Sequence, residues 1–428
     1  MDIGNAVSAS VPSSIDRIVV AGAGYAGLHV ALRLAPRLRR NPGVELTLVD
    51  QYDYHQVVTE FPRVAGGTRD ASAVRIPLEH VLAGRVRFVQ AEISGLDLAG
   101  RRLLTRTGPI GWRWLVLGLG SKPDDFAIPG LAERALSLCS ASDAERVWAA
   151  VSTALDAAAS AADPERQRCL ATVVIGGGGA TGVELASELA EMLPEVASDR
   201  GLAPGLPAVH LVEAGPAILA GCSPQLTGKA MRILCDLGVQ VRTNAAITAA
   251  TDAGFRLKDG NRVEGGVLVW AGGVKAPPLV ADSALPTGRN GRVKVDPYLR
   301  VPGHPEIYVA GDLALVTDPR TGQVLPPLAQ VAVEEGQTVA RNLYAELNGK
   351  PREPFSFRGK GFVVSVGRHR GVADVAGITT GGRLAHLLKD AIEWEYRQSV
   401  KHLHGWDPHP TPRCLGPGRG STLAQPAG

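Results

Sequence analysis

From Arg17 the chain runs through an apolar stretch, a glycine cluster, a segment with apolar residues at helical spacing, and a second apolar stretch ending in an acid. The residues are "RIVVAGAGYAGLHVALRLAPRL" and then "VELTLVD". Short apolar runs bounded by turn formers predict buried strands, and an amphipathic segment between two of them predicts a β-turn-α-β unit with parallel strands and a right-handed crossover. The succession returns at Thr172 as "TVVIGGGGATGVELASELAEML". After a Pro/Gly-rich loop (Pro194 to Pro207) comes "AVHLVEAG". These units are the chain's one internal repeat. They predict an α/β fold with two Rossmann-like dinucleotide-binding domains.

The remaining pattern fills in around them. "VRFVQAEISGLDLAGRRLLT" and "WRWLVLGLGS" predict a small antiparallel excursion and a return to the sheet. Residues 142–162 predict a helix opened by a capping box, Ser142 with Glu145. "FRLKDGNRVEGGVLVWAGG" reads as a hairpin turning at Asp259-Gly260, then a buried strand, and "EIYVAGD" as another. Helices are predicted near Leu328–Leu347 and 383–403, with Gly-rich strands between them. Residues 1–15 are small and polar, predicting a flexible leader. The Pro/Gly-rich tail after Trp406 predicts disorder.

Composition narrows the function. A net charge of +3, without a basic block interleaved with aromatics, excludes a nucleic-acid reader. The five cysteines at 139, 169, 222, 235 and 414 form no CxxC or CxxxxC, which points to reduced thiols in a cytoplasmic setting. Neither a signal peptide nor a spanning apolar run is visible, so the expected place is the cytoplasm or the inner face of the plasma membrane. His402 and His404 have no carboxylate or cysteine set beside them, and no metal site is expected.

Gly22-Ala-Gly24-Tyr-Ala-Gly27 is a GxGxxG between a predicted strand and a predicted helix. Its glycines allow a tight turn, backbone approach to a pyrophosphate, and packing of helix on strand. The helix N-terminus favours the anion. Asp50, closing the next strand, suits the ribose hydroxyls of an adenosine. Gly177, Gly179 and Gly182 repeat the arrangement with Glu213 as the acid. No Arg follows Glu213 closely, and its charge would repel a 2′-phosphate, so NADH is expected rather than NADPH. The segment Ala310-Gly311-Asp312 lies after the second unit. A carboxylate there can bond a ribityl chain, and the next helix can aim its N-terminus at a flavin, so the first unit is assigned to FAD. A glycine turn that binds nothing is the plain alternative for each motif alone.

Taken together, "YHQVVTEFPRVAGGT", "LVLGLGSKPDDFAIPG", "GGGATGVELASEL", "VWAGGVKAPPL", "VDPYLRVPGHPEIYVAGD" and "PPLAQVAVEEG" give the chain a specific resemblance to type II NADH dehydrogenases (NADH:quinone oxidoreductases) over about residues 16–405. The resemblance implies an FAD domain in two segments (16–125 and 285–345), an inserted NADH domain (126–284), and a C-terminal α+β region (346–406) that dimerises and touches a membrane, followed by a tail (407–428). It implies FAD binding by Gly22, Gly24, Gly27, Asp50, Gly120, Gly311, Asp312, Ala329 and Gln330. NADH binding falls to Gly177, Gly179, Gly182, Glu213 and Gly272. Glu184 matches a family acid near the nicotinamide–flavin contact, with a solvated helix-face Glu as the alternative. One motif departs: the family's Ala-Gln-x-Ala-x-Gln-Gln-Gly is here Ala329-Gln330-Val-Ala332-Val-Glu334-Glu335-Gly336. Carboxylates there can donate protons to a reduced quinone, or repel a semiquinone and signal another acceptor; one of the pair can also simply face solvent. Gln330, Glu334 and Glu184 are the catalytic candidates.

The absent cysteine motifs speak against dithiol reductases and sulfide:quinone oxidoreductases, so electrons are expected to pass straight from flavin to acceptor. In the last helix, Leu384, Leu387, Leu388, Ala391, Ile392, Trp394 and Tyr396 make a broad stripe. Arg383, Lys389, Arg397 and Lys401 are placed to meet anionic headgroups, against which Asp390, Glu393 and Glu395 count. A helix packed on its own protein or on a dimer partner is the alternative. The leading expectation is an FAD-dependent NADH oxidoreductase with quinone as acceptor and no proton pumping. The alternatives are a soluble diaphorase or oxidase with a non-quinone acceptor, and a slow flavin redox sensor resembling apoptosis-inducing-factor relatives.

Overall fold

In the computed structural model, residues 16–39, 41, 43–82 and 86–402 are described. The predicted leader, Trp406, the tail, His404, Cys414 and the side chain of His402 lie outside them. The first sheet runs, edge to edge, through strands 300–301, 304–309, 114–117, 16–21, 44–50 and 87–90. All are parallel except the short edge strand 300–301. The run "VRFVQ" thus adds a strand to this sheet instead of joining the excursion. The excursion is the antiparallel set 93–97, 102–105 and 110–111.

The second sheet orders strands 136–137, 267–270, 172–176, 208–212 and 240–242, all parallel. An antiparallel hairpin set, 247–251, 254–257 and 262–264, sits beside it, with Gly260 at positive φ in the turn. Strands 122–123 and 274–275 pair antiparallel where the chain enters and leaves the second unit. A third antiparallel sheet, 362–365, 371–375 and 378–382, carries the last helix, Arg383–His402.

Buried apolar strands explain the two parallel sheets. Ile18 to Ala21, Leu115 to Leu117 and Ile307 to Val309 are fully covered, as strands with helices on both faces must be. Helices Tyr25–Leu38 and Ala329–Leu347 cross closely because Gly336 has no side chain; a Cβ there would stand 2.4 Å from the Ala26 carbonyl oxygen.

Two boundaries differ from expectation. The helix read as 142–162 spans Ala141–Ser160 and is capped by Ser140, whose hydroxyl accepts from the Asp143 N–H at 3.0 Å. Ser142 already lies in the first turn, where it cannot cap. Helix Ala180–Ser198 runs through Pro194, where a loop was expected to begin. Proline fits helical φ, and buried Leu193 and Ala197 hold the final turn in the core against the lost hydrogen bond.

Candidate functional site

Both glycine loops fold alike, and the likeness extends to atoms. Gly22 takes φ +100°, and a Cβ on it would meet the Gly118 carbonyl oxygen at 2.3 Å; one on Gly27 would meet the Gly22 carbonyl oxygen at 1.9 Å. Gly177 and Gly182 repeat this, with φ +113° and Cβ clashes at 2.4 Å on Ala271 and 1.9 Å on Gly177. The middle glycines differ. A Cβ at Gly24 would meet nothing nearer than 4.0 Å, and at Gly179 nothing within 4 Å. Each of these two is the N-cap of its helix with no side chain capping it, so free N–H groups face open space. That is the shape and donor set a pyrophosphate needs, and the residues fit a dinucleotide at both loops.

The two acids are clamped the same way. The Ala23 N–H donates to one Asp50 oxygen at 2.6 Å and the Tyr52 N–H to the other at 2.9 Å. The Gly178 N–H donates to one Glu213 oxygen at 2.7 Å and the Gly215 N–H to the other at 2.6 Å. Each acid therefore lies across the mouth of its loop with lone pairs left for ribose hydroxyls. Burial pushes the Asp50 carboxyl above the ordinary carboxylate range, partly offset by these N–H bonds. Gly272 follows Trp270, whose indole lies where its Cβ would be, and the indole N–H donates to the Asp124 carbonyl at 2.8 Å.

Asp312 is held by the Ser121 hydroxyl at 2.8 Å, next to Gly120 at φ +65°. Burial raises its pKa too. Gly311, at φ +78°, packs against Ala26, and its N–H donates to the Glu335 carboxyl at 2.5 Å. The Ala310–Asp312 segment, the first glycine helix and the N-terminal half of helix Ala329–Leu347 thus meet at one place.

The two glutamates of the altered motif separate. Glu335 is fully buried; one oxygen caps Gly311 and the other has no hydrogen-bond partner, and burial raises its pKa to about 8. It was not among the sequence candidates, because the pattern does not tell which of two adjacent acids turns inward. Glu334 is part-exposed and faces Lys360 at 3.9 Å. One turn earlier, Gln330 donates to the Gly361 carbonyl at 3.2 Å and accepts from the Lys360 N–H at 3.4 Å, and Ala329 opens the helix.

Glu184 is buried, against the reading of a solvated helix face. It accepts from the Ser365 N–H at 3.1 Å and pairs with Lys389 of the last helix. Lys389 also faces Glu393 at 3.7 Å. Beside them Arg63 pairs with Asp390 at 2.6 Å, and Arg397 with Glu60 at 3.0 Å. The expected stripe is therefore corrected: Lys389, Arg397 and Tyr396 turn inward, unable to meet headgroups. Buried charge is tolerable only when paired, and the partners lie on distant segments that helix periodicity cannot reveal. Outward stand Leu384, Leu387 and Trp394, 67%, 63% and 65% exposed, with Ala391 and Ile392 beside them. Arg383 and Lys401 remain exposed near the helix ends. Among the described residues no helix is long and apolar enough to cross a membrane. Cys139, Cys169, Cys222 and Cys235 are unpaired.

The profile of the pyridine nucleotide-disulphide oxidoreductase family matches residues 16–336. The chain is similar to the type II NADH:quinone oxidoreductase of Staphylococcus aureus, at 31% identity over 381 residues, 88% of this chain and 94% of that one. Among solved structures, NDH2 from Plasmodium falciparum in complex with NADH superposes with a TM-score of 0.82 at 18% identity, over 91% of this chain and 97% of that one. The sulfide:quinone oxidoreductase of Aquifex aeolicus gives 0.73 at 19% identity, over 91% and 92%. These two structures speak to fold alone.

Proposed function

We propose, since this chain belongs to the pyridine nucleotide-disulphide oxidoreductase family and within it to the type II NADH:quinone oxidoreductases, that it oxidises NADH and reduces a quinone through FAD, without proton pumping. The observation that carries this reading is the duplicated clamp. Two open glycine loops, each closed by an acid on paired backbone N–H groups, make two dinucleotide sites in one chain. The first takes FAD, because the Asp312 segment and the N-terminus of helix Ala329–Leu347 meet its helix; the second takes NADH. FAD, when bound, supplies the redox chemistry, taking a hydride from NADH and giving two electrons to the acceptor.

The protein's share is to bind, orient and move protons. Gly22, Gly24, Gly27, Asp50, Gly120, Gly311 and Asp312 hold the flavin nucleotide, and Gly177, Gly179, Gly182, Glu213 and Gly272 hold NADH. Glu184, its direction fixed by Ser365 and Lys389, borders the nicotinamide side. Gln330 anchors the Lys360–Gly361 segment against the acceptor side, with Ala329 at the helix start. Glu334, reaching solvent from that helix, is the carboxyl that relays a proton to the reduced quinone. The apolar outer face of the last helix, flanked by Arg383 and Lys401, rests on the membrane surface or on a second copy of the chain.

Steady-state NADH oxidation with a short-chain quinone, with dioxygen alone and with ferricyanide tests the reading. Quinone is expected to give the highest kcat/KM. Turnover with ferricyanide and none with quinone would replace the reading by a diaphorase.

A further inference from the structure

The residue between the first two glycines of the first loop has both its polar groups tied down. The Ala23 N–H donates to Asp50 at 2.6 Å, and the Ala23 carbonyl meets the Nδ1 of His55 at 2.8 Å. His55 is fully buried on strand 54–56. Its other ring nitrogen, Nε2, lies 2.8 Å from the hydroxyl of Tyr396 on the last helix. The Tyr396 ring also packs against that of Tyr25, the first residue of the glycine helix, with centroids 4.7 Å apart.

Hydrogen-bond bookkeeping orients this chain. A carbonyl oxygen only accepts, so Nδ1 must carry the proton that it donates to Ala23. Nε2 of the neutral ring is then an acceptor, which the tyrosine O–H fills. A trans peptide plane links the Ala23 carbonyl to the Gly24 N–H, and the two point in opposite directions. Drawing the carbonyl inward to His55 therefore turns the Gly24 N–H outward, to the side where the loop is open and a Cβ would meet nothing nearer than 4.0 Å.

We infer that Tyr396 and His55 are positioning residues of the flavin-nucleotide site: through the Tyr396–His55–Ala23 chain, the last helix sets the direction in which the Gly24 N–H is offered to the FAD pyrophosphate. The inference rests on the assignment of FAD to the first loop. Without the tyrosine hydroxyl, the buried Nε2 lone pair has no partner, and the ring loses the contact that holds its orientation. A ring that tilts weakens the Nδ1–H bond to the Ala23 carbonyl and frees the peptide to rotate. The last helix is in this sense part of the flavin site, although none of its residues lies in a nucleotide motif.

The test is the rate of FAD release from the holoenzyme, followed as the rise in flavin fluorescence after dilution. Tyr396→Phe is expected to release FAD about tenfold faster, the scale set by one buried polar group left unsatisfied. His55→Leu is expected to do so by more. NADH affinity at the second loop should be unchanged in both. Asp390→Asn, on the same helix as Tyr396, removes the nearest carboxylate partner of Arg63; it is the control for mere loosening of that helix and should release FAD at the wild-type rate. Should the variants not fold, imidazole nitrogen shifts of wild-type His55 read the tautomer directly. A proton on Nε2, an unchanged release rate in Tyr396→Phe, or equal acceleration in Asp390→Asn would overturn the inference. A wild-type protein that purifies and reconstitutes without flavin would sink the FAD assignment itself, a distinguishable failure.

Discussion

Glu213 gives one oxygen to each of two backbone N–H groups, Gly178 and Gly215, and still has lone pairs for a ribose diol. A 2′-phosphate on that ribose would bring two anions together, and no conformational escape is open to a carboxylate held at both oxygens. Glu213→Ser should therefore lower the preference for NADH over NADPH by about tenfold, a loss of roughly 1.4 kcal/mol of discrimination, read as the ratio of kcat/KM values. An unchanged ratio would remove Glu213 from nucleotide choice. On helix Ala329–Leu347, whose start is proposed to face the acceptor, Glu334 is the solvent-facing carboxyl and Glu335 the buried cap. Glu334→Gln should slow flavin reoxidation by quinone about 100-fold, the lower end of the range of about 10²–10⁴ for general acid catalysis, and leave NADH-driven reduction untouched in stopped-flow traces. Faster reoxidation would mean that the carboxylate repels the reducing quinone.

At the scale of elements, the last helix has its polarity reversed: paired charges inside, leucines and a tryptophan outside. A face of this kind fits a partner or a lipid surface. Replacing Leu387 and Trp394 with Gln should abolish flotation with vesicles containing anionic lipid, at unchanged thermal stability because both side chains are already in water. Persistent flotation would move the contact elsewhere. The glycine units were legible because local sequence largely dictates them: Gly22 is demanded by its own positive φ, Gly27 by the Gly22 carbonyl five residues before it, and the apolar runs by burial in a parallel sheet. The last helix was only half legible. Its periodicity showed a stripe, but Lys389 and Arg397 are drawn inward by Glu184 and Glu60, whose positions in space no periodicity encodes. The same holds for His55, an ordinary residue in sequence, which acquires meaning only from Ala23 and Tyr396.

For the whole molecule, buried groups set opposing pH slopes. His29 and His55 are held neutral by burial, with pKa values lowered to about 3 and about 4. Their contribution is complete above the unfolded value near 6.5 and is lost as pH falls towards those folded values. Glu335 runs the other way: raised to about 8, its contribution is complete below the ordinary glutamate range and is lost as pH rises through 8. Asp50 and Asp312, whose carboxyls burial also raises, add falling slopes in the same sense as Glu335. Above the unfolded His value near 6.5 only falling slopes remain, so thermal unfolding should show stability declining between about pH 6.5 and 8. Glu335→Gln should flatten that decline and steepen the acid side between the ordinary Glu and His values. A profile that climbs steadily to pH 9 would contradict these assignments.

The proposed reaction requires that two dinucleotides meet in this chain and that electrons leave it for a quinone. An anaerobic NADH titration of the purified protein, monitored in the flavin absorption band and followed by addition of a short-chain quinone, tests it most directly. An oxidised flavin spectrum is expected, bleached by one equivalent of NADH per flavin and restored rapidly by the quinone. A protein without a flavin band after reconstitution, or one whose bleached flavin the quinone leaves reduced, would contradict it.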